Sequence, residues 1–196
     1  MKRRANSLPT FSQPSSISRP SKDMSTKMHR FYHADRYLNL TEGQTIELDS
    51  NGLTRFGAIY WQAISTKSFE LLNEAEQREW LLERERRDPK FAAYPSRMQS
   101  FFGANTVDDA RRFVEKSREK PNAKVPIFEV FASTFWSLDM NWLDYATDPE
   151  TRVRYIREYW YGAISNHCPA EGERRPPLLE VLMKPPIRVG QIVDWV

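Results

Sequence analysis

The chain has one cysteine in 196 residues, Cys168, so no disulfide can close within it, and a reducing compartment fits that usage. There are only three histidines and no Cys/His cluster at ligand spacing, so a structural zinc finds no ligand set. No apolar run approaches the ~20 residues that a bilayer-spanning helix needs, and the chain reads as soluble, with no membrane partner. The charged start lacks the apolar stretch of a secretory signal. Walker A, GxGxxG, GxSxG and HExxH patterns are all missing, which removes the usual sequence marks of P-loop, dinucleotide-fold, hydrolase and zinc-protease chemistry.

Apolar residues are nevertheless plentiful, at 40% of the chain, and aromatics reach 13%. Large rings bury much surface each, so an aromatic-rich core is expected, with Trp136, Trp142 and Trp160 in it. The net charge of +3 comes mainly from the first thirty residues (Lys2, Arg3, Arg4, Arg19, Lys22, Lys27, Arg30), which leaves the rest nearly balanced and argues against nucleic-acid binding by the folded part. Residues 1–28 are dominated by Ser, Pro, Lys and Arg. They cannot bury enough apolar area to offset their ordering entropy and read as a disordered tail ahead of one domain at 29–196. The tail is either an upstream extension, with the working domain starting near Met24 or Met28, or a leader for bacterial export. A cytoplasmic protein and an exported effector both remain open.

Arg30 to Asp35 reads as a first strand and Thr45 to Leu48 as a short second one. Asn51-Gly52 marks a turn, with no element read between it and Ser68. Ser68 to Arg87 is an amphipathic helix closed by Asp88-Pro89. A loop leads into a strand through Phe101 to Ala104. Thr106 then caps a helix running to about Lys120, with acids in its first turn. Val125 to Phe131 alternates as a strand, and Leu138 to Tyr145 reads as a turn and short helix. Asp148-Pro149-Glu150 opens a helix to Tyr161 that Gly162 ends. After a polar, Pro-rich loop over 163–177, Leu178 to Met183 and Ile187 to Trp195 are the last strands. Strands at both ends with helices between disfavour a doubly wound parallel sheet. The expected class is α+β, a split antiparallel sheet with helices on one side.

Four separated pieces in one order carry a resemblance. Phe31-Tyr32-His33 precedes Leu40, Gly43, Gln44 and Ile46. Phe102-Gly103-Ala104-Asn105-Thr106-Val107-Asp108-Asp109-Ala110 joins a strand to a helix. Ile127 to Phe131 leads to Leu138-Asp139-Met140-Asn141, and Lys184 to Trp195 closes the chain. The set resembles the rifampin ADP-ribosyltransferases, small members of the ADP-ribosyltransferase fold. Ser96-Arg97-x-Gln99-Ser100-Phe101-Phe102 and Tyr159-Trp160-x-Gly162 also resemble an uncharacterised bacterial family. The resemblance implies NAD as cosubstrate, cleavage of its nicotinamide–ribose bond, and transfer of ADP-ribose to an acceptor (protein, nucleic acid or small molecule). Carried over by position, it gives His33 to the nicotinamide ribose, with Ala34 beside it, Phe102 to stacking on nicotinamide, and Asp139 to the catalytic carboxylate. Three departures stand out: Ala34-Asp35 in place of Gly-Thr, Phe102 without a hydroxyl, and a helical insertion between the first two pieces.

That chemistry develops positive charge on the sugar, so the protein must hold the ribose and place a carboxylate where the cation forms. Glu180, flanked by apolar residues in a late strand, rivals Asp139 for that role. Arg36, Arg55 and Arg97 are candidates for the pyrophosphate, and Ser100 for the ribose or the carboxamide. Each has a plainer alternative: His33 as a packed strand residue, Asp139 as a helix cap, Glu180 as an outward strand residue, Phe102 as core. NAD glycohydrolase, with water as acceptor, and a noncatalytic binding module on the same fold are the competing functions.

Overall fold

A computed structural model describes residues 27–116, 124–144, 148–165 and 176–196. Seven strands, β1 (His29–Ala34), β2 (Thr45–Ile46), β3 (Phe101–Ala104), β4 (Pro126–Ala132), β5 (Phe135–Asp139), β6 (Leu179–Met183) and β7 (Ile187–Trp195), form a sheet in the order β2-β7-β4-β1-β3-β6-β5. Every neighbouring pair is antiparallel. The architecture is α+β, as the order of sequence elements implies. β1 and β4 pair along their length, as do β3 and β6. Between β1 and β3, however, a single registered pair, Tyr32↔Ala104, joins the two halves.

Side chains alternate across each strand, so the sheet has two distinct faces. On one, Phe31, Phe128, Val130, Val181, Met183, Ile187 and Val189 make a buried core. The sheet rolls around this core strongly enough that Phe135 on β5 meets Phe31 on β1 across two intervening strands, with ring centroids 4.6 Å apart. The other face carries the helices α1 (Arg55–Thr66), α2 (Glu74–Arg86), α3 (Val107–Lys116), α4 (Asn141–Asp144) and α5 (Pro149–Trp160). There Leu82, Leu138, Ile156, Tyr159, Trp160 and Leu182 form a second core, while Ala104, Ala110 and Ile127 seat α3. Each fully buried large apolar side chain contributes on the order of 1.5–3 kcal/mol, so these clusters decide the fold.

Several boundaries differ from the sequence reading. The segment from Ser68 to Arg87 is not one helix: a short turn at Phe69–Leu71 precedes α2, because Asn73 and Glu76 form a reciprocal capping box that starts the helix afresh. Phe135–Asp139 is a strand rather than the approach to a turn, since it pairs with β6 from Phe135↔Met183 to Asp139↔Leu179. α1 is an element that the sequence did not announce. Thr54 caps it by accepting from the Gly57 amide at 3.3 Å, and Thr54 itself donates to the Met98 carbonyl from both its amide (2.9 Å) and its hydroxyl (3.1 Å). A Cβ at Gly57 would lie 2.0 Å from that same carbonyl oxygen, so only glycine lets α1 sit so close. The Thr106 cap of α3 and the Asp148 cap of α5 are as expected. Of the expected tail over 1–28, residues 1–26 lie outside the described residues, as do the end of the third helix near Lys120, Tyr145 and Cys168.

Candidate active site

His33 follows Tyr32, the β1 residue at the joint between the two halves of the sheet. Its Nδ1 lies 2.7 Å from the Phe102 carbonyl, and a carbonyl can only accept, so Nδ1 carries the proton. Burial lowers the imidazole pKa from its ordinary value, although the bond to the Phe102 carbonyl and the Asp35 charge oppose the shift. The ring is therefore neutral near pH 7, with Nε2 as its acceptor nitrogen. It packs on Phe101 with centroids 4.5 Å apart, which fixes the ring plane. His33 thus spans the parting of the strands where ladder bonds end.

The chain beyond β1 is wrapped around Asp35. This buried carboxylate accepts from the amides of Tyr37 (3.3 Å), Asn39 (2.7 Å) and Leu40 (2.7 Å). Asp35 is thereby the organiser of its loop. The loop presents Tyr37, 61% exposed, with the Arg55 guanidinium 4.9 Å from its ring centre and that of Arg36 6.0 Å away. Arg36 and Arg55 therefore converge at one exposed ring near His33 in the chain.

Arg97 lies elsewhere, enclosed beneath the helices. Its Nε donates to Glu79 at 2.9 Å, and its Nη1 donates to Glu180 Oε1 at 2.6 Å and to the Tyr159 hydroxyl oxygen at 2.7 Å. The Tyr159 hydroxyl in turn donates to Glu180 Oε1 at 2.8 Å. The Arg97 amide donates to Glu83 at 2.9 Å. Burial alone would lower the guanidinium pKa, but Glu180 and Glu79 outweigh it and lift the value further. Burial also pushes the Tyr159 hydroxyl well up, so it stays protonated and donates. The guanidinium lies over the Phe102 ring at 4.8 Å, and Phe56 meets that ring edge-on at 4.7 Å. Phe102 is half-buried under these partners, within the helix-side core.

Asp139 is fully buried and accepts three backbone amides: Asn141 (3.1 Å), Leu178 (3.1 Å) and Ser165 (2.8 Å). Its carboxylate ties β5, the start of α4 and the approach to β6 together. Ser100 is also buried, with its hydroxyl donating to the Ser96 carbonyl at 2.8 Å. Ala34 ends β1 and packs toward α3.

One row of the sheet runs through Tyr32, Ala104, Glu180 and Leu138 on four successive strands. Glu180 is thus two strands from β1 and within one residue of the His33 level. Alternation puts the Glu180 side chain on the helix face and the His33 ring, with Phe101, on the rolled face. Grooves of about 360 Å³ between α2 and α5, lined by Trp80, Arg84 and Arg152, and about 250 Å³ beside α1, lined by Asn51 and Trp61, do not include His33. Sequence reasoning missed Glu79, Glu83 and Tyr159. The acids at 79 and 83, four apart on α2, were the one available signal. Among the described residues, no three His, Cys, Asp or Glu side chains gather as a metal site, and no helix is long and apolar enough to cross a membrane.

The chain has no match among curated proteins. Residues 62–194 match a family described as "Protein of unknown function (DUF2441)", a span that takes in Arg97, Tyr159 and Glu180 but not His33. That span is most of the chain, and the protein belongs to this family.

Proposed function

We propose that the protein is an NAD-dependent mono-ADP-ribosyltransferase, with His33 holding the nicotinamide ribose at the joint between β1 and β3. The observation that carries this reading is the tautomer of His33. Nδ1–H is held by the Phe102 carbonyl, so Nε2 is an acceptor suited to a sugar hydroxyl. The resemblance of the Phe31-Tyr32-His33 stretch to the rifampin enzymes supports it from the sequence side. Arg36 and Arg55, converging at Tyr37, suit the pyrophosphate. Arg97 and Ser100, both enclosed, suit it less.

In the reaction, the bond between the ribose carbon and the nicotinamide nitrogen breaks, and its electron pair leaves with the nicotinamide, neutralising the pyridinium. The sugar becomes oxocarbenium-like, and an acceptor nucleophile adds while losing its proton. Neither acid meets His33 across one cleft: the Asp139 oxygens are taken up by three backbone amides, and the Glu180 side chain lies ion-paired with Arg97 on the helix face, opposite the His33 ring. The acceptor could equally be water, which would make the protein a glycohydrolase.

A second reading, a noncatalytic module that binds a nucleotide, is favoured by the ion pairing of Glu180 with Arg97 and by the covered Phe102 ring. Nicotinamide release from NAD separates the two. Wild type releases nicotinamide and His33→Ala does not, if the transferase reading holds. A rise in melting temperature with NAD but no release selects the module. Transfer of labelled ADP-ribose to lysate components distinguishes transferase from glycohydrolase.

A further inference from the structure

We infer that the end of the helix face where β2, β7, β4 and β1 lie side by side is a platform for single-stranded nucleic acid. The inference is independent of His33, whose ring lies on the opposite face, and of the transferase reading. One row of registered partners crosses the four strands: Thr45, Arg188, Phe131 and Arg30. Alternation along β4 puts Phe131 on the same face as Ile127. The helices lie elsewhere on that face: α3 sits on Ala104 and Ile127, while α2 and α5 pack over Leu138 and Leu182. Phe131 is therefore a half-buried ring in mid-sheet that belongs to none of the three hydrophobic clusters. Core packing does not account for it.

The exposed Arg188 guanidinium lies over the Phe131 ring, 4.3 Å from its centre, and among the described residues it makes no ion pair. A Cβ at Gly190 would sit 2.9 Å from that ring, so the ring reaches across β7 into space that only glycine leaves. On the other side Arg30, with its side chain 58% exposed, bonds Glu129 at 3.0 Å and lies 5.9 Å from the Tyr32 ring centre. An exposed pair of this kind is weak, so a phosphate can take Arg30 from Glu129. Rings and guanidinium planes are surfaces on which unpaired bases stack, and the cations beside them meet the phosphates. The bases of a duplex are already stacked on one another, so only a single strand can lay them here. The chain that enters β1 adds charge: residues 1–28 hold six cations and one acid, Asp23, and the strand begins one residue from the row. Like charge excludes that basic segment, or the same row of a second copy, as the occupant. The near balance of charge over the rest of the chain includes acids held beneath the helices, such as Glu79 and Glu180, which do not offset this row.

The test is fluorescence anisotropy of a labelled oligothymidine with the full chain over a range of salt concentrations, beside a labelled duplex of equal length. The proteins are wild type, Phe131→Ala, Arg188→Ala, Arg188→Lys and, as a control, Arg154→Ala, which removes a like charge from the exposed side of α5. A melting curve accompanies each. Wild type is expected to bind the single strand more tightly than the duplex. Phe131→Ala should weaken that binding about tenfold or more. Arg188→Ala should weaken it and lower the slope of log affinity against log salt by about 0.7, while Arg154→Ala changes neither. Arg188→Lys keeps the charge and loses the flat plane, so it should bind more weakly with an unchanged slope. Should Phe131→Ala fail to fold, Arg188→Lys decides in its place. Absence of binding, or equal binding of duplex and single strand, overturns the inference. Phe131→Ala and Arg188→Ala that bind like wild type overturn it too, since the basic segment alone then holds the strand. Poly-glutamate that displaces the probe as well as unlabelled oligothymidine does would mean that an acidic protein surface is the partner, and overturns it equally.

Discussion

The imidazole of His33 and the main-chain carbonyl of Phe102 are hydrogen-bonded at 2.7 Å across the place where β1 and β3 part. A side chain there does what the next ladder bond would have done. The consequence is a histidine whose proton position, ring plane and charge are all set by the fold.

That setting makes stability depend on pH in a definite direction. In the unfolded chain His33 titrates near 6.5, while in the folded protein burial lowers its pKa. Between the two values the unfolded state binds the extra proton, so stability falls as pH drops below about 6.5 and levels off beneath the folded value, by roughly 1.4 kcal/mol for each unit of depression. Melting curves of wild type and His33→Gln from pH 7.5 to 5 should converge toward low pH, with wild type losing more. Parallel curves would mean that the ring titrates freely.

Asp139 should behave as a structural residue in Asp139→Asn. Three amides point at its two oxygens, and an asparagine can offer an acceptor on only one side. At least one buried N–H then faces a donor, and the charge that strengthens the remaining bonds is gone. Urea unfolding should report a loss of about 3 kcal/mol. An unchanged midpoint would show that these amides find other partners and would return Asp139 to the list of free carboxylates.

Much of this was legible from sequence where local chemistry decides. Asp148-Pro149 and Gly162 bracket α5 because capping and positive φ are properties of single residues (Gly162 sits at φ +69°). β7 was readable from alternation over its full length. α1 was not, for its first turn has no acid and its exposed side includes Ile59 and Trp61. What holds it is the Met98 carbonyl, 44 residues from Thr54. β5 hid for a similar reason, being five residues whose pairing with β6 only the fold supplies. For the site, single residues were nameable but their relations were not. Glu79 and Glu180 lie 18 and 83 positions from Arg97, so no local pattern could show that this arginine faces inward.

Gly103 offers the sharpest test of the joint. A Cβ there would sit 2.7 Å from the Met183 methyl and 2.9 Å from the Tyr32 carbonyl oxygen. The methyl ends a flexible side chain and can swing away. The carbonyl belongs to β1 at the one registered pair, so relief there must displace the strand that carries His33. Gly103→Ala should therefore cost about 1–3 kcal/mol through overpacking and loosen the His33 bond. The Nδ1–H proton resonance, shifted downfield while the bond holds, should broaden or move upfield. Gly43→Ala is the control, since φ is +79° there and nothing lies within 4 Å, so only backbone strain of about 1 kcal/mol is added. If both variants lose similar stability and keep the same imidazole resonance, the close approach of β1 and β3 does not set the histidine, and Gly103 is a replaceable strand residue.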